Sequence, residues 1–382
     1  MEKHASLTLT LLSLSHAMNH VYQLTITVLL PLIKEEYGLT YFMTGVLGSV
    51  QLLPYSLLQV LFGYLSGRFS RKKIVISGFI ITALAFLAMG FRTNIFIFSV
   101  LLFIAGIGGS TYHPNGVPLL SEFYKDKMGQ ASGFHQTGGS IGSLILPLLA
   151  APLAYIFNWR VTLTILTIPG LILALVLWRF LPEPTLTIED KKVTQGKEDR
   201  KTILKKIRPS IILILAAAIF VSGQRGIDSI STLYFTSMRS MNIVEAGFFF
   251  SMFKIAGLFS SPLTGRLSDS FGRTKVLILL IGVASSSLFS LPWVPDSALI
   301  VPCIVFGFAS FGLLTITDAF LVDITPKDYA STLFGIHYTV SFLSSIIISP
   351  ILGFITDSIG FNVGFTILSL ILPLSIPLLL VV

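Results

Sequence analysis

Residues 125–135 read KDKMGQASGFH, and residues 327–337 read KDYASTLFGIH. Lysine, aspartate, glycine and histidine return in the same order and at the same spacing, each displaced by 202 residues. A second pair keeps that displacement: GYLSGRFSRKK begins at Gly63 and GRLSDSFGRTK at Gly265. Two pairs with one offset, in a chain of 382 residues, describe two related halves.

The surroundings of these pairs name the solvent. Hydrophobic residues make up 53% of the chain and charged residues 12%, with 31 Phe, and the mean hydropathy is +0.85. Soluble domains carry roughly 25% charged residues. The apolar excess here has no interior to enter, so lipid is its medium. A helix needs about 20 residues to cross about 30 Å of hydrocarbon. Apolar stretches of that order fall at 8–32, 41–66, 74–91, 95–121, 130–156 and 161–181, then at 209–237, 242–265, 276–293, 297–322, 330–356 and 362–382. Runs this long exclude the short alternating strands of a barrel. The expected fold is an all-α membrane protein of 12 transmembrane helices in two six-helix bundles, 1–181 and 209–382. They are joined by a polar linker at 182–208 that holds eight basic and five acidic residues.

Charge placement sets the expected orientation. With the N-terminus cytoplasmic, 20 of the 26 Lys and Arg fall on the cytoplasmic side or at cytoplasmic helix ends, among them Lys125, Lys127 and Lys327. The net charge of +8 follows from this topology and requires no nucleic acid. Both 63–73 and 265–275 follow the second span of their half, so the halves are expected to run parallel, related by an axis along the membrane normal. The first apolar stretch carries His16, Asn19 and His20 and ends without a small-residue cleavage pattern, so no signal peptide is expected. The one cysteine, Cys303, rules out an intrachain disulfide and a multi-cysteine metal site. No Walker loop or H-E-x-x-H is present, and GIGGS lies in mid-span with no strand before it. No enzyme, cofactor or metal is expected.

The six-plus-six spans, the central linker and the loop pattern G-x-L-x-D-R-x-G-R-R/K together resemble the major facilitator superfamily (MFS) over the whole chain. The second copy carries Gly265, Leu267, Asp269, Gly272, Arg273 and Lys275, with Ser270 in place of the first arginine. The first keeps Gly63, Arg68 and Arg71 but has Gly67 for the aspartate and Ser70 for the second glycine. The resemblance implies that this aspartate latches one conformation, so the latch is made differently here. HAMNHVYQ, GIGGSTYHPNG and GFHQTGGSIGSLILP resemble, more narrowly, the branch that includes fosmidomycin-resistance efflux proteins. The fourth span has no Lys or Arg from Asn94 to Ser121, unlike many proton-driven drug antiporters.

Polar groups inside spans cost several kcal/mol and persist where they meet a partner or water. Arg225 and Lys254 fall near the middles of the seventh and eighth spans and are candidate counter-charges for an anionic solute, with Gln224 beside them. Arg offers a bidentate fork, Lys a point charge. Against that, Arg225 pairs with Asp228 three residues on, and Lys254 snorkels to an interface. His16, Asn19, His20 and Gln23 share one helical face, expected to point at the cavity that the resemblance places between the halves. His113, with Pro114 bending its span, is a candidate proton carrier. His135 and His337, at matching depth, either join it or tether helices. The first six spans hold no mid-membrane carboxylate. In the second half, Asp318 reads as the most buried carboxylate, carrying a proton or pairing with Lys254 or Arg225. Tyr55, Gln59 and Tyr338 are candidate wall residues. Gly138, Gly139 and Gly142 are packing surfaces.

These readings point to a secondary active transporter for a small anionic organic solute, proton-coupled, with export favoured. Import of a carboxylate or phosphorylated nutrient is the second reading, and a membrane receptor or intramembrane enzyme the third. The expected partners are the solute, protons and the bilayer of the cell membrane, with both termini cytoplasmic and the chain acting as a monomer.

Overall fold

A computed structural model describes residues 2–66, 68–124, 128–182, 200–326 and 329–382. Lys125, Lys127, Lys327 and Gly67 lie outside the described residues, as does most of the polar linker. The described residues form helices and no strand, as lipid demands of backbone groups that can bond only within their own segment. The first half comprises α1 (Glu2–Tyr37), α2 (Tyr41–Leu65), α3 (Arg71–Gly90), α4 (Ile95–Gly109), α5 (His113–Ser121), α6 (Met128–Ile156) and α7 (Trp159–Phe180). The second comprises α8 (Arg200–Ser237), α9 (Ile243–Phe271), α10 (Arg273–Ser290), α11 (Ile300–Ile324), α12 (Ala330–Ile359), α13 (Phe361–Ile371) and α14 (Ile376–Leu379).

Eleven described stretches are long and apolar enough to cross a membrane, counting α4 with α5, and α13 with α14, as one each. The twelfth is α1, whose 36 residues are ample in length but carry the polar stripe. Two spans are interrupted where proline removes a helical donor. The fourth stops at Gly109 and restarts at His113 with Pro114 in its first turn. The last passes through a 3-10 turn, Leu372–Ser375, between α13 and α14. The linker ends sooner than the composition suggests, because residues 200–208 already belong to α8. Lys, Leu and Arg are good helix formers, and here they extend the seventh span past its apolar part.

By internal contact the chain forms two compact units, Met1–Thr187 with Ile230–Ser251, and Ile188–Ser229 with Met252–Val382. The division therefore does not fall wholly in the linker. Residues 230–251 join the first unit because Thr232 donates to the Thr27 carbonyl at 2.8 Å and Gly247 seats against Ala151 and Pro147. In the first unit α1 packs on α6, and α3 on α4 and α7. In the second, α10 packs on α11 and α13. Phe96, Trp178, Phe259 and Phe354 lie exposed, as side chains that face lipid do.

The α1–α6 seam depends on small residues. A Cβ on Gly138 or Gly142 would strike the α1 backbone at Ser13 or Ala17, and one on Gly139 would sit 2.7 Å from the His16 ring. The run GGSIG at 138–142 has G-x-S-x-G spacing, but it lies inside α6 and not on a strand-to-helix turn, so no nucleophile elbow forms.

Candidate functional site

Inside the spans of each unit a group of polar side chains meets. In the first, the stripe on α1 meets α2, the α4–α5 break and α6. His16 donates from Nδ1 to the His135 carbonyl at 3.0 Å, and its ring stacks on that of His135 with centroids 4.3 Å apart. Tyr112 donates to the Leu12 carbonyl, so its oxygen accepts from His135 Nε2 at 2.8 Å. His20 Nε2 lies 3.2 Å from His16 Nε2, and His20 Nδ1 lies 3.0 Å from the Ser143 hydroxyl. Tyr55 donates to Asn19 Oδ1 at 2.9 Å, and Asn19 donates to the Gly109 carbonyl at the α4–α5 break, which also accepts from the Tyr112 N–H at 3.3 Å. His113 stands edge-on to His16, with centroids 5.2 Å apart.

The stripe therefore does not simply face open space. His16 is 3% exposed and Asn19 4%, both held by neighbouring helices of their own unit, while His20 and Gln23 are half-buried. Gln23 and Gln59 each keep a buried side-chain nitrogen without a hydrogen bond. Tyr112 and Ser143 complete this cluster although the sequence does not single them out. The signal was adjacency: Tyr112 precedes His113, and Ser143 lies one turn beyond Gly139.

The second unit holds charges instead. Lys254 bonds to Asp228, with side-chain exposures of 5% and 12%. Arg225 approaches the other Asp228 oxygen at 4.0 Å and stands over the Phe342 ring at 5.2 Å. Its side chain is 23% exposed, and its buried Nε makes no hydrogen bond. Gln224 is buried beside it. Lys254 thus does not snorkel: it is buried and paired. Asp318 is not the most buried carboxylate of this half; its side chain is 39% exposed, and Asp228 takes that place. Nor does Asp318 pair with Lys254 or Arg225. It lies 3.4 Å from His337 Nε2 and accepts from the Tyr338 hydroxyl at 3.3 Å. The reason is angular, since residues on one helix select partners by the direction they face and not by depth alone.

In each half a loop-motif arginine reaches a carboxylate at the end of a later span. Arg71 pairs with Glu122. Arg273 pairs with Asp323 at 3.0 Å, with Asp269 at 2.5 Å, and with the Ser268 hydroxyl at 2.6 Å. Arg68, in the turn after α2, bonds to Tyr64 in the last turn of that helix. Gly63 faces Pro114, while Gly265 faces open space. Gly272 adopts φ +93, where side chains are strained, whereas Ser70 in the other copy has φ −55 and caps α3 by accepting from Lys73 N–H. The motif glycine is lost where the backbone no longer needs it.

At the far end of α1, beyond the apolar stretch, Arg160 donates to Glu36 at 2.8 Å and Trp159 donates to it at 2.7 Å. Burial opposes the charge on Glu36, but these bonds outweigh it and hold the carboxyl below its usual range.

The profile of the Major Facilitator Superfamily matches residues 12–349 and, overlapping, 241–382. The chain belongs to this superfamily. Among its relatives, the sialic acid transporter NanX of Escherichia coli (strain K12) is 25% identical over 329 residues, 82% of this chain and 78% of that protein. The multidrug resistance protein MdtG of Salmonella typhi is 26% identical over 335 residues, 85% of this chain and 82% of that one. A bacterial homologue of the human lysosomal transporter Spinster, solved in an inward-facing and occupied conformation, aligns with a TM-score of 0.84 at 16% identity, covering 98% of this chain and 95% of that one. The nucleoside transporter NupG (D323A mutant) gives 0.78 at 14% identity, covering 98% and 97%. This MFS protein is a multi-pass membrane transporter and not an enzyme.

Proposed function

We propose that this MFS protein moves a small anionic organic solute by alternating access of its two units, coupled to protons, with export as the favoured direction. The observation that carries the reading is Arg225. A guanidinium among apolar helices that holds its carboxylate only at 4.0 Å, with an unbonded Nε, has donors to spare. A carboxylate or phosphonate would take them in a bidentate fork. Asp228 already answers Lys254, so the cargo meets a triad of two cations and one anion whose net charge is positive. The name of NanX, a transporter of an acid, agrees with this charge. The coupling proton falls to Asp318, which is half-exposed and bonded to His337 and Tyr338. His135, whose carbonyl accepts from His16 and whose Nε2 donates to Tyr112, holds α6 to α1 and to the α4–α5 break.

Export rests on the relative named for multidrug resistance; import is the second reading, favoured by the sialic acid relative. The basic residues at alternate loops favour a chain in the cell membrane with both termini cytoplasmic. The test is flux in proteoliposomes loaded with labelled sialic acid, other carboxylates or phosphonates under an imposed pH gradient. Gradient-driven flux that falls when Asp318 is changed to Asn is expected. Solute movement indifferent to the gradient removes the coupling, and binding without any flux turns the reading toward a receptor.

A further inference from the structure

The hydrogen bonds around His16 assign its tautomer, and those around His20 allow two. The His135 carbonyl can only accept, so His16 carries its hydrogen on Nδ1 and turns the Nε2 lone pair outward. Ser143 lies 3.0 Å from the Gly139 carbonyl, which likewise can only accept. If the serine hydrogen goes there, its oxygen accepts from His20 Nδ1; if the serine donates to His20 Nδ1 instead, His20 carries its hydrogen on Nε2. The two Nε2 atoms face each other at 3.2 Å, as two lone pairs in the first arrangement and as a hydrogen bond from His20 to His16 in the second, and an ion bound by both nitrogens replaces that contact.

We infer that His16, His20 and His113 form a binding site for a divalent transition-metal ion of borderline softness, such as Zn²⁺. The ligand atoms of the three lie within 4.8 Å of one another. Zinc–imidazole bonds of about 2.0–2.1 Å, set tetrahedrally, put neighbouring nitrogens roughly 3.3 Å apart, close to the spacing His16 and His20 already have. Those two are four residues apart on α1, the helical spacing that brings two imidazoles to one ion. His113 comes from another element, the start of α5 after the break in the fourth span. The outer shell is also in place. A ligating histidine donates its other N–H to a carbonyl or similar acceptor, as His16 does to the His135 carbonyl, and the Ser143 hydroxyl stands 3.0 Å from His20 Nδ1 to accept in the same way once Nε2 holds the ion. Three neutral imidazoles suit zinc, nickel or cobalt, whereas magnesium and calcium call for oxygen ligands. With no carboxylate among the three, the fourth position falls to water or a small anion.

The test uses full-length protein freed of any affinity tag, purified in detergent and titrated with Zn²⁺ by calorimetry and with Co²⁺ by visible absorption. One saturable equivalent per chain and the absorption of tetrahedral cobalt are expected, with no response to Mg²⁺. His20→Ala and His113→Ala should abolish that equivalent, while Ser143→Ala, which removes only the outer acceptor, should weaken it about 10–100-fold. Metal-free melting curves check that each variant is folded, and His113→Ala, at a half-buried position, decides the matter if His20→Ala does not fold. Absence of saturable Zn²⁺ binding, or an isotherm left intact by His113→Ala, overturns the site.

Discussion

His135 and His337 stand at equivalent places in the two repeats, yet one stacks on His16 and bonds to Tyr112 while the other bonds to the carboxylate of Asp318. The loop arginines show the same divergence on a smaller scale. Arg71 and Arg273 both pair with a carboxylate at the end of a later span of their half, but the second also holds Asp269. Duplication has kept the backbone positions and released the chemistry. The first unit's polar cluster is built from hydrogen bonds among neutral groups, which contribute about 1 kcal/mol each. The second unit's is built on a buried ion pair, where loss of one partner strands a charge. Among the described residues, the cluster of two cations about one carboxylate belongs to the second unit.

Changing Lys254 to Met tests the asymmetry most severely. It leaves Asp228 with Arg225 alone, at 4.0 Å, and should cost about 3–5 kcal/mol, read as a large drop in melting temperature in detergent. The double variant with Asp228→Asn should recover most of that loss. An unchanged melting temperature in the single variant would mean that the pair does not hold the second unit together. Gly272→Ser places a side chain at φ +93 and should cost about 1–3 kcal/mol, whereas Ser70→Gly in the first copy should cost only a few tenths, around 0.3 kcal/mol. Equal costs would show that the two motif copies have not diverged in backbone. Tyr112→Phe leaves the His135 N–H buried without an acceptor and should cost about 1–3 kcal/mol; Tyr338→Phe, at an exposed 3.3 Å bond, should cost under about 1 kcal/mol. Reversal of that order would move the structural tether from the first half to the second.

Much of this architecture is legible in the sequence alone. Span length is a direct consequence of bilayer thickness, and the 202-residue offset is visible by eye. Arg225 and Lys254 stand out because a cation inside an apolar run has few explanations. Their partners do not stand out. Asp228 and Asp318 both lie in spans of the second half, and only the packing of α8, α9, α11 and α12 turns the first toward Lys254 and the second toward His337. Tyr112 and Ser143 are hidden for another reason: hydroxyls are common in spans and usually bond to their own helix, as Ser143 also does with Gly139. Their role depends on which histidine the neighbouring helix brings.

The central claim is that Arg225 meets the charge of the cargo, and binding measures it most directly. Thermal stabilisation of the purified transporter by a panel of carboxylates and phosphonates, wild type beside Arg225→Gln, separates charge recognition from flux, because a ligand that binds only the folded form raises its apparent stability. At least one anion should stabilise the wild type in a saturable manner, and Arg225→Gln should lose that response while keeping the wild-type melting temperature without ligand. An equal response in both proteins would contradict the account.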